Sequence, residues 1–169
     1  MATTVADEKK NLRAIMIACR DALPSERAAR WSESVERRAL ASERYRDASA
    51  VVLYSAIGNE VSTEIILADA IASGRAVFYP RVDAVTGMIS AQRVRDRSEF
   101  ARGAYGILEP PESAEVLDRK NFTNILVCVP GVAFGLEGQR LGRGGGHYDR
   151  FIGQLTFGDI RVLGVRQHN

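Results

Sequence analysis

The chain has 169 residues, of which 46% are hydrophobic and 26% charged, and it carries a formal net charge of +2. Those proportions suit a soluble globular protein whose length fits one domain, residues 1–169, with a substantial core. The small charge does not by itself argue for nucleic acid, and no apolar run approaches the roughly 20 residues that span a bilayer.

Met1 to Lys10 is polar and lacks a signal-peptide core. Residues 7 to 23 then read as a helix. Leu12, Ile15, Met16, Cys19 and Leu23 recur at three- and four-residue steps and predict one apolar face. Lys10, Arg13, Ile17 and Arg20 fall on another face, so Arg13 and Arg20 lie along one side, for which a solvated face is the plain reading. Pro24-Ser25-Glu26 restarts a helix to about Arg44, with Trp31, Val35 and Leu40 as expected core.

Ala48 to Ala56 reads as a buried strand, followed by the loop Ile57–Thr63. Ser62 or Thr63 is placed to cap a helix from Glu64 to Ser73, and Gly74 to stop it. Arg75 to Arg81 is the next strand. Strand, helix, strand predicts a parallel pair, and in such sheets ligands sit at the carboxyl ends of the strands. Glu60 lies just beyond one such end, Pro80-Arg81 at another, and a glycine-rich stretch beyond a third.

Asp83 to Val94 reads as a turn through Thr86-Gly87 into a strand. Arg93, Arg95, Arg97 and Arg102 make this region basic, offset in part by Asp96 and Glu99. Tyr105 to Pro110 reads as an extended loop and residues 113 to 120 as a helical turn. Ile125–Val129 is an apolar, β-branched run and predicts a buried strand, ended by Pro130-Gly131. A short helix is expected from Tyr148 to about Leu155, then a strand from Ile160 to Val165. Together these elements predict an α/β fold: a three-layer sandwich with a mostly parallel central sheet and helices on both faces. Cys19 and Cys128 make no metal spacing and are expected as buried free thiols in a reducing cytoplasm.

The stretch between Val129 and Phe151 carries the chemistry. It holds glycine at 135, 138, 142, 144, 145 and 146 and arginine at 140 and 143. Such glycines admit positive φ and close approach to backbone N–H groups, and N–H groups ahead of a helix attract phosphate. Arg140 and Arg143 add forked donors. Asp149 sits where a magnesium ion bridging to phosphates needs an oxygen ligand. Neither G-x-x-x-x-G-K-[ST] nor G-x-G-x-x-G is present. A solvated joining loop is the plain alternative.

The run Gly138 to Asp149 (G-Q-R-L-G-R-G-G-G-H-Y-D), preceded by Pro130-Gly-Val-Ala-Phe134, resembles the signature of the 5-formyltetrahydrofolate cyclo-ligase family. Lys9 and Arg13 resemble the family's K-x-x-x-R pair, Glu60 to Thr63 its E-x-x-T, and Tyr105 to Pro110 its Y-G-I-x-E-P element. The resemblance implies ATP-driven closure of 5-formyltetrahydrofolate to 5,10-methenyltetrahydrofolate, with ATP as co-substrate and Mg2+ as cofactor. It implies that Lys9, Lys10, Arg13, Arg140, Leu141, Gly142, Arg143, Gly144, Gly145, Gly146, His147 and Tyr148 form the ATP site. For the folate it implies Arg13, Ile57, Glu60, Arg143, Gly144, Gly145, Gly146 and His147. It gives Arg140, Arg143 and Tyr148 catalytic roles and makes Asp149 the metal ligand.

Ser62 stands where many members have a second acidic residue, and His147 where an aromatic residue is usual. Members usually continue beyond the equivalent of Asn169, with an aspartate implied as a second magnesium ligand that has no equivalent here. A catalytically disabled folate- or nucleotide-binding relative is therefore the alternative. A basic nucleic-acid-binding domain built on Arg93, Arg95, Arg97 and Arg102 would instead show steep salt dependence. The expected protein is a monomer that binds 5-formyltetrahydrofolate, with or without a polyglutamate tail, and ATP, with no nucleic-acid or membrane partner.

Overall fold

The computed structural model describes residues 4–83, 85–103, 106–155 and 160–164. Helix α1 spans Val5–Asp21 and opens on a capping box between Thr4 and Asp7. Helix α2 (Ser25–Leu40) and the single turn α3 (Glu43–Arg46) follow. The first strand, β1 (Ala50–Val52), is shorter than the apolar run suggests, although Leu53 and Tyr54 continue it into the interior. Helix α4 (Glu64–Ala72) leads to β2 (Ala76–Val82) and, through a turn at Gly87 with φ +66°, to β3 (Ile89–Val94). Two short strands pair next, β4 (Ala101–Arg102) with β5 (Leu108–Glu109). Then come β6 (Ile125–Val129), a second small hairpin of β7 (Ala133–Phe134) and β8 (Arg140–Leu141), helix α5 (His147–Leu155) and strand β9 (Ile160–Gly164).

The main sheet has five strands in the order β3-β2-β1-β6-β9. β1 pairs parallel with both β2 and β6, β6 pairs parallel with β9, and only β3 runs antiparallel. All five residues of β6 are buried, as a strand covered on both faces requires. Its side chains alternate between two cores. Leu126 and Cys128 join Val51, Leu53, Val77 and Tyr79 under Ala39, Tyr45, Ile66 and Leu67 of α2, α3 and α4. Ile125, Val127 and Val129 join Val52 and Phe78 under Phe151 and Leu155 of α5. This is the expected α/β architecture, a mostly parallel sheet between helices.

Several local expectations change. The apolar face predicted for α1 is not packed: Leu12, Ile15 and Cys19 are exposed, and the helix buries no residue. It is held instead through its arginines, described below. Helix α2 turns its small residues Ala28, Ser32 and Ala39 inward together with Glu36, while Trp31 is half-buried beneath the Arg27 guanidinium, 4.4 Å from the ring centroid. The turn expected over 113 to 120 is a 3-10 turn at Arg119–Asn121 only. The segment before it runs beside β3, with Leu117 N donating to Ala91 O at 2.8 Å. The basic region is dispersed: Arg95 pairs with Glu115, Arg97 with Glu64, and Arg93 lies over Phe78. Tyr105 and Val165 lie outside the described residues. Among the described residues, no helix is long and apolar enough to cross a membrane.

Candidate active site at the switch point of the sheet

From β1 the chain crosses through α4 to β2 on one side, while β6 lies on the other. The loops leaving the carboxyl ends of β1 and β6 therefore part company and open a crevice, the usual ligand position in an open α/β sheet. Residues 53–63 form one wall and residues 130–146 the other.

The first wall is held by a buried polar frame. Glu36, from α2, accepts from Ile65 N at 2.8 Å and so caps α4 from outside its own sequence. Thr63 Oγ1, not needed as a cap, donates to Tyr54 O at 2.9 Å, and the Tyr54 hydroxyl donates to Val61 O at 2.7 Å. Burial pushes both the Glu36 carboxyl and the Tyr54 phenol above their ordinary values. Ser62 Oγ accepts from Glu64 N at 3.0 Å, a local helix-end bond. On this frame Glu60 presents a carboxylate whose side chain is 8% exposed. Its Oε2 accepts from Ile57 N at 3.1 Å.

The second wall is the glycine loop. Val132 N donates to Leu141 O at 2.7 Å, which closes the β7–β8 hairpin under the loop. Gly144 and Gly146 have φ of +111° and +65°, the left-handed region that glycine adopts without strain. A Cβ at Gly145 would come within 2.6 Å of His147 Cδ2, so glycine there makes room for the imidazole. Arg150 N donates to Gly146 O at 3.1 Å, starting α5 where the loop ends. The N–H groups of that first turn and its dipole favour an anion in the loop.

Charged groups join the walls. Arg143 places Nη2 2.8 Å and Nε 3.3 Å from Glu60 Oε1. From α1, Arg20 Nη1 reaches the same oxygen at 3.3 Å, and Arg13 Nε donates to Gly142 O at 2.8 Å. Arg140 donates to Pro130 O at 3.1 Å, pairs with Asp149 Oδ1, and lies 5.8 Å from the centre of the Tyr148 ring. Burial, with the Glu60 charge nearby, holds the Tyr148 phenol well above its ordinary value. At neutral pH the hydroxyl therefore keeps its proton. The His147 ring turns to the β2–β3 turn, with Nδ1 2.8 Å from Gly87 O.

The residues singled out in the sequence thus fall into two groups. Arg13, Ile57, Glu60, Arg140, Leu141, Gly142, Arg143, Gly144, Gly145, Gly146, Tyr148 and Asp149 come together around the crevice. Lys9 and Lys10 stand on the exposed part of α1, without a polar partner among the described residues. Arg81 turns away to Glu109 and Glu112. Beside Glu60 opens a cavity of about 510 Å³, lined by Met16, Cys19, Leu23, Tyr54, Pro130 and Phe134 among others. Arg20, Asn59 and Glu36 also frame the crevice, and local sequence patterns do not single out Asn59 or Glu36. The seven-residue step from Arg13 to Arg20 was the one visible sign, since it puts both on one helix side.

Among the described residues there is no group of three acidic, histidine or cysteine side chains able to cage a metal. Asp149, with its side chain 70% exposed, is a single hard oxygen donor. That suits Mg2+ shared with phosphate oxygens and does not suit a metal held by protein alone.

The model of the 5-formyltetrahydrofolate cyclo-ligase family matches residues 5–165, almost the whole chain. The chain belongs to that family. The 5-formyltetrahydrofolate cyclo-ligase of Mus musculus is 29% identical over 157 residues, covering 89% of this chain and 76% of that protein. A probable cyclo-ligase of Caenorhabditis elegans is 27% identical, covering 89% and 75%. The NMR structure of Aquifex aeolicus 5,10-methenyltetrahydrofolate synthetase superposes with a TM-score of 0.76 at 30% identity, covering 93% of this chain and 76% of that one. The synthetase of Mycoplasma pneumoniae shares the fold, with a TM-score of 0.67 at 21% identity. The family is one of ligases, and the glycine stretch that resembles its signature forms the second wall.

Proposed function

We propose that this chain, as a monomeric single domain, closes 5-formyltetrahydrofolate to 5,10-methenyltetrahydrofolate at the expense of ATP. One observation carries the reading. Arg143 of a phosphate-type loop is hydrogen-bonded to Glu60 at the mouth of a cavity large enough for a bicyclic ring. The two ligands of the reaction would then meet within one side chain's reach.

The chemical obstacle is a formyl carbon that resists attack by the N10 amine. Transfer of the γ-phosphoryl group to the formyl oxygen makes that oxygen a leaving group. N10 then bonds to the carbon and loses its proton, and phosphate departs. Such a transfer asks the protein for positioning and charge stabilisation rather than for a nucleophile. Glu60 would accept hydrogen bonds from the pterin ring, with Ile57 beside it. Gly142 to Gly146 would wrap the phosphates with their N–H groups. Arg143 would leave Glu60 for the transferring phosphoryl oxygens, and Arg140 would leave Asp149 for another. The protonated Tyr148 hydroxyl would donate and not abstract. Lys9 and Lys10 would reach the nucleotide from α1, Arg13 would steady the loop through Gly142, and His147 would edge the pocket. Asp149 would hold Mg2+, which when bound supplies positive charge at the phosphates.

The test follows near-ultraviolet absorbance of methenyltetrahydrofolate with purified protein, 5-formyltetrahydrofolate and MgATP. An ATP-dependent rise supports the reading. Folate or nucleotide binding without a rise would leave a binding relative, and neither binding nor a rise would overturn the site.

A further inference from the structure

Arg20 lies outside the glycine signature, yet its side chain is only 14% exposed. An arginine held out of water needs a charged partner; Glu60, at 3.3 Å and itself nearly buried, is the nearer one, and the exposed Asp21 lies at 3.8 Å. Arg20 Nε is buried without a hydrogen bond and 3.8 Å from Asp21 Oδ1, so the closest polar contact of the guanidinium is the one from Nη1 to Glu60 Oε1. The helix end carrying it is bolted to the Glu60 wall: Asn59 Nδ2 donates to Arg20 O at 3.1 Å and to Leu23 O at 3.0 Å.

The two arginines on Glu60 Oε1 are not equivalent. Arg143 is 50% exposed and sits on the glycine loop, so moving it from a carboxylate to a phosphate exchanges one anion for another at the rim. That move would leave a nearly buried carboxylate uncompensated unless a second cation stayed behind. Arg20 is that cation.

We infer that Arg20 is a positioning residue for the proposed reaction, holding the Glu60 carboxylate oriented at the cavity mouth while Arg143 transfers to phosphate. The inference rests on Glu60 being the folate-binding acid, as proposed above.

The experiment compares wild type, Arg20→Met and Arg20→Lys by steady-state kinetics with each substrate varied, alongside thermal unfolding. For Arg20→Met, KM for 5-formyltetrahydrofolate is expected to rise about 10- to 100-fold, the range carried by a charge-assisted hydrogen bond. KM for ATP should move by less than about threefold, and Tm by less than about 3 °C because α1 buries no residue. Arg20→Lys, which restores charge without the fork, should fall between the two. An unchanged folate KM in Arg20→Met overturns the inference. So does a parallel rise of both KM values with a fall in Tm, which would make Arg20 a clamp for α1. Calorimetric folate binding separates these results from failure of the reading beneath: a wild type that neither turns over nor binds folate removes both.

Discussion

Arg143 and Glu60 lie 83 residues apart in sequence and 2.8 Å apart in space, one on the loop after β6 and one on the loop after β1. That bond pairs the arginine proposed for phosphate with the carboxylate proposed for the pterin. Each ligand would release the group that the other needs, so the two binding events should favour each other. Glu60→Gln removes the charge that holds Arg143. The KM for 5-formyltetrahydrofolate should rise about 10- to 100-fold, whereas affinity for a non-hydrolysable ATP analogue measured alone should hold or tighten. Titration calorimetry reads both. A nucleotide affinity that collapses with the folate affinity would show that Arg143 is not released.

Asp149 and Arg140 form the second charged pair at the loop. Arg140 has other anchors, Pro130 O and the Tyr148 ring, so the loop should survive loss of the carboxylate. Asp149→Asn is expected to leave Tm unchanged and to raise the Mg2+ concentration for half-maximal rate at least about 10-fold, since Asp149 is the carboxylate proposed to hold the ion. An unaltered magnesium dependence would remove Asp149 from the metal site.

The layers of the fold were legible because they rest on local pattern. Ile125–Val129 reads as a doubly covered strand, and Gly74, with φ +74°, ends α4 as its position suggests. The glycine loop and Glu60 were legible as well, through motif and strand-end position. What escaped the sequence is pairing at long range. Leu12 and Ile15 made a convincing apolar stripe, but α1 docks through Arg13 and Arg20, whose partners are Gly142 and Glu60. No local pattern marks Glu36, on α2, for burial. Only α4, arriving 28 residues later with uncapped N–H groups, gives it a reason to be buried. The hairpin inside the glycine loop was hidden because strands of two residues carry no periodicity.

That buried Glu36 has a pH signature. Desolvation raises its carboxyl above the ordinary 4.5, more than its bonds from Ile65 N and Ile66 N lower it. A raised folded value means that Glu36 favours the folded state most below the unfolded value, and that this contribution is lost as pH climbs through the folded value. Glu36→Gln keeps an oxygen acceptor and removes the titration. Stability of wild type relative to this variant should therefore be greatest below about pH 4.5 and decline toward neutrality. Thermal unfolding of both proteins across that range measures it, and a difference that stays constant with pH would refute the linkage.

The two cysteines offer a direct probe of where the folate sits. Cys128 is fully buried in β6, and burial pushes its thiol up to about 12. In the folded protein it should be inert, because the thiolate is the reactive form. Cys19 is exposed on α1 and lines the cavity beside Glu60. A maleimide should therefore modify one of the two cysteines in the native protein and both in denaturant. If the cavity takes the pterin, 5-formyltetrahydrofolate should slow labelling of Cys19 in proportion to its occupancy, and ATP alone should slow it much less. Peptide mapping by mass spectrometry assigns the site. Protection by ATP but not by folate would exchange the two ligands between cavity and loop, and would remove Glu60 from its proposed role.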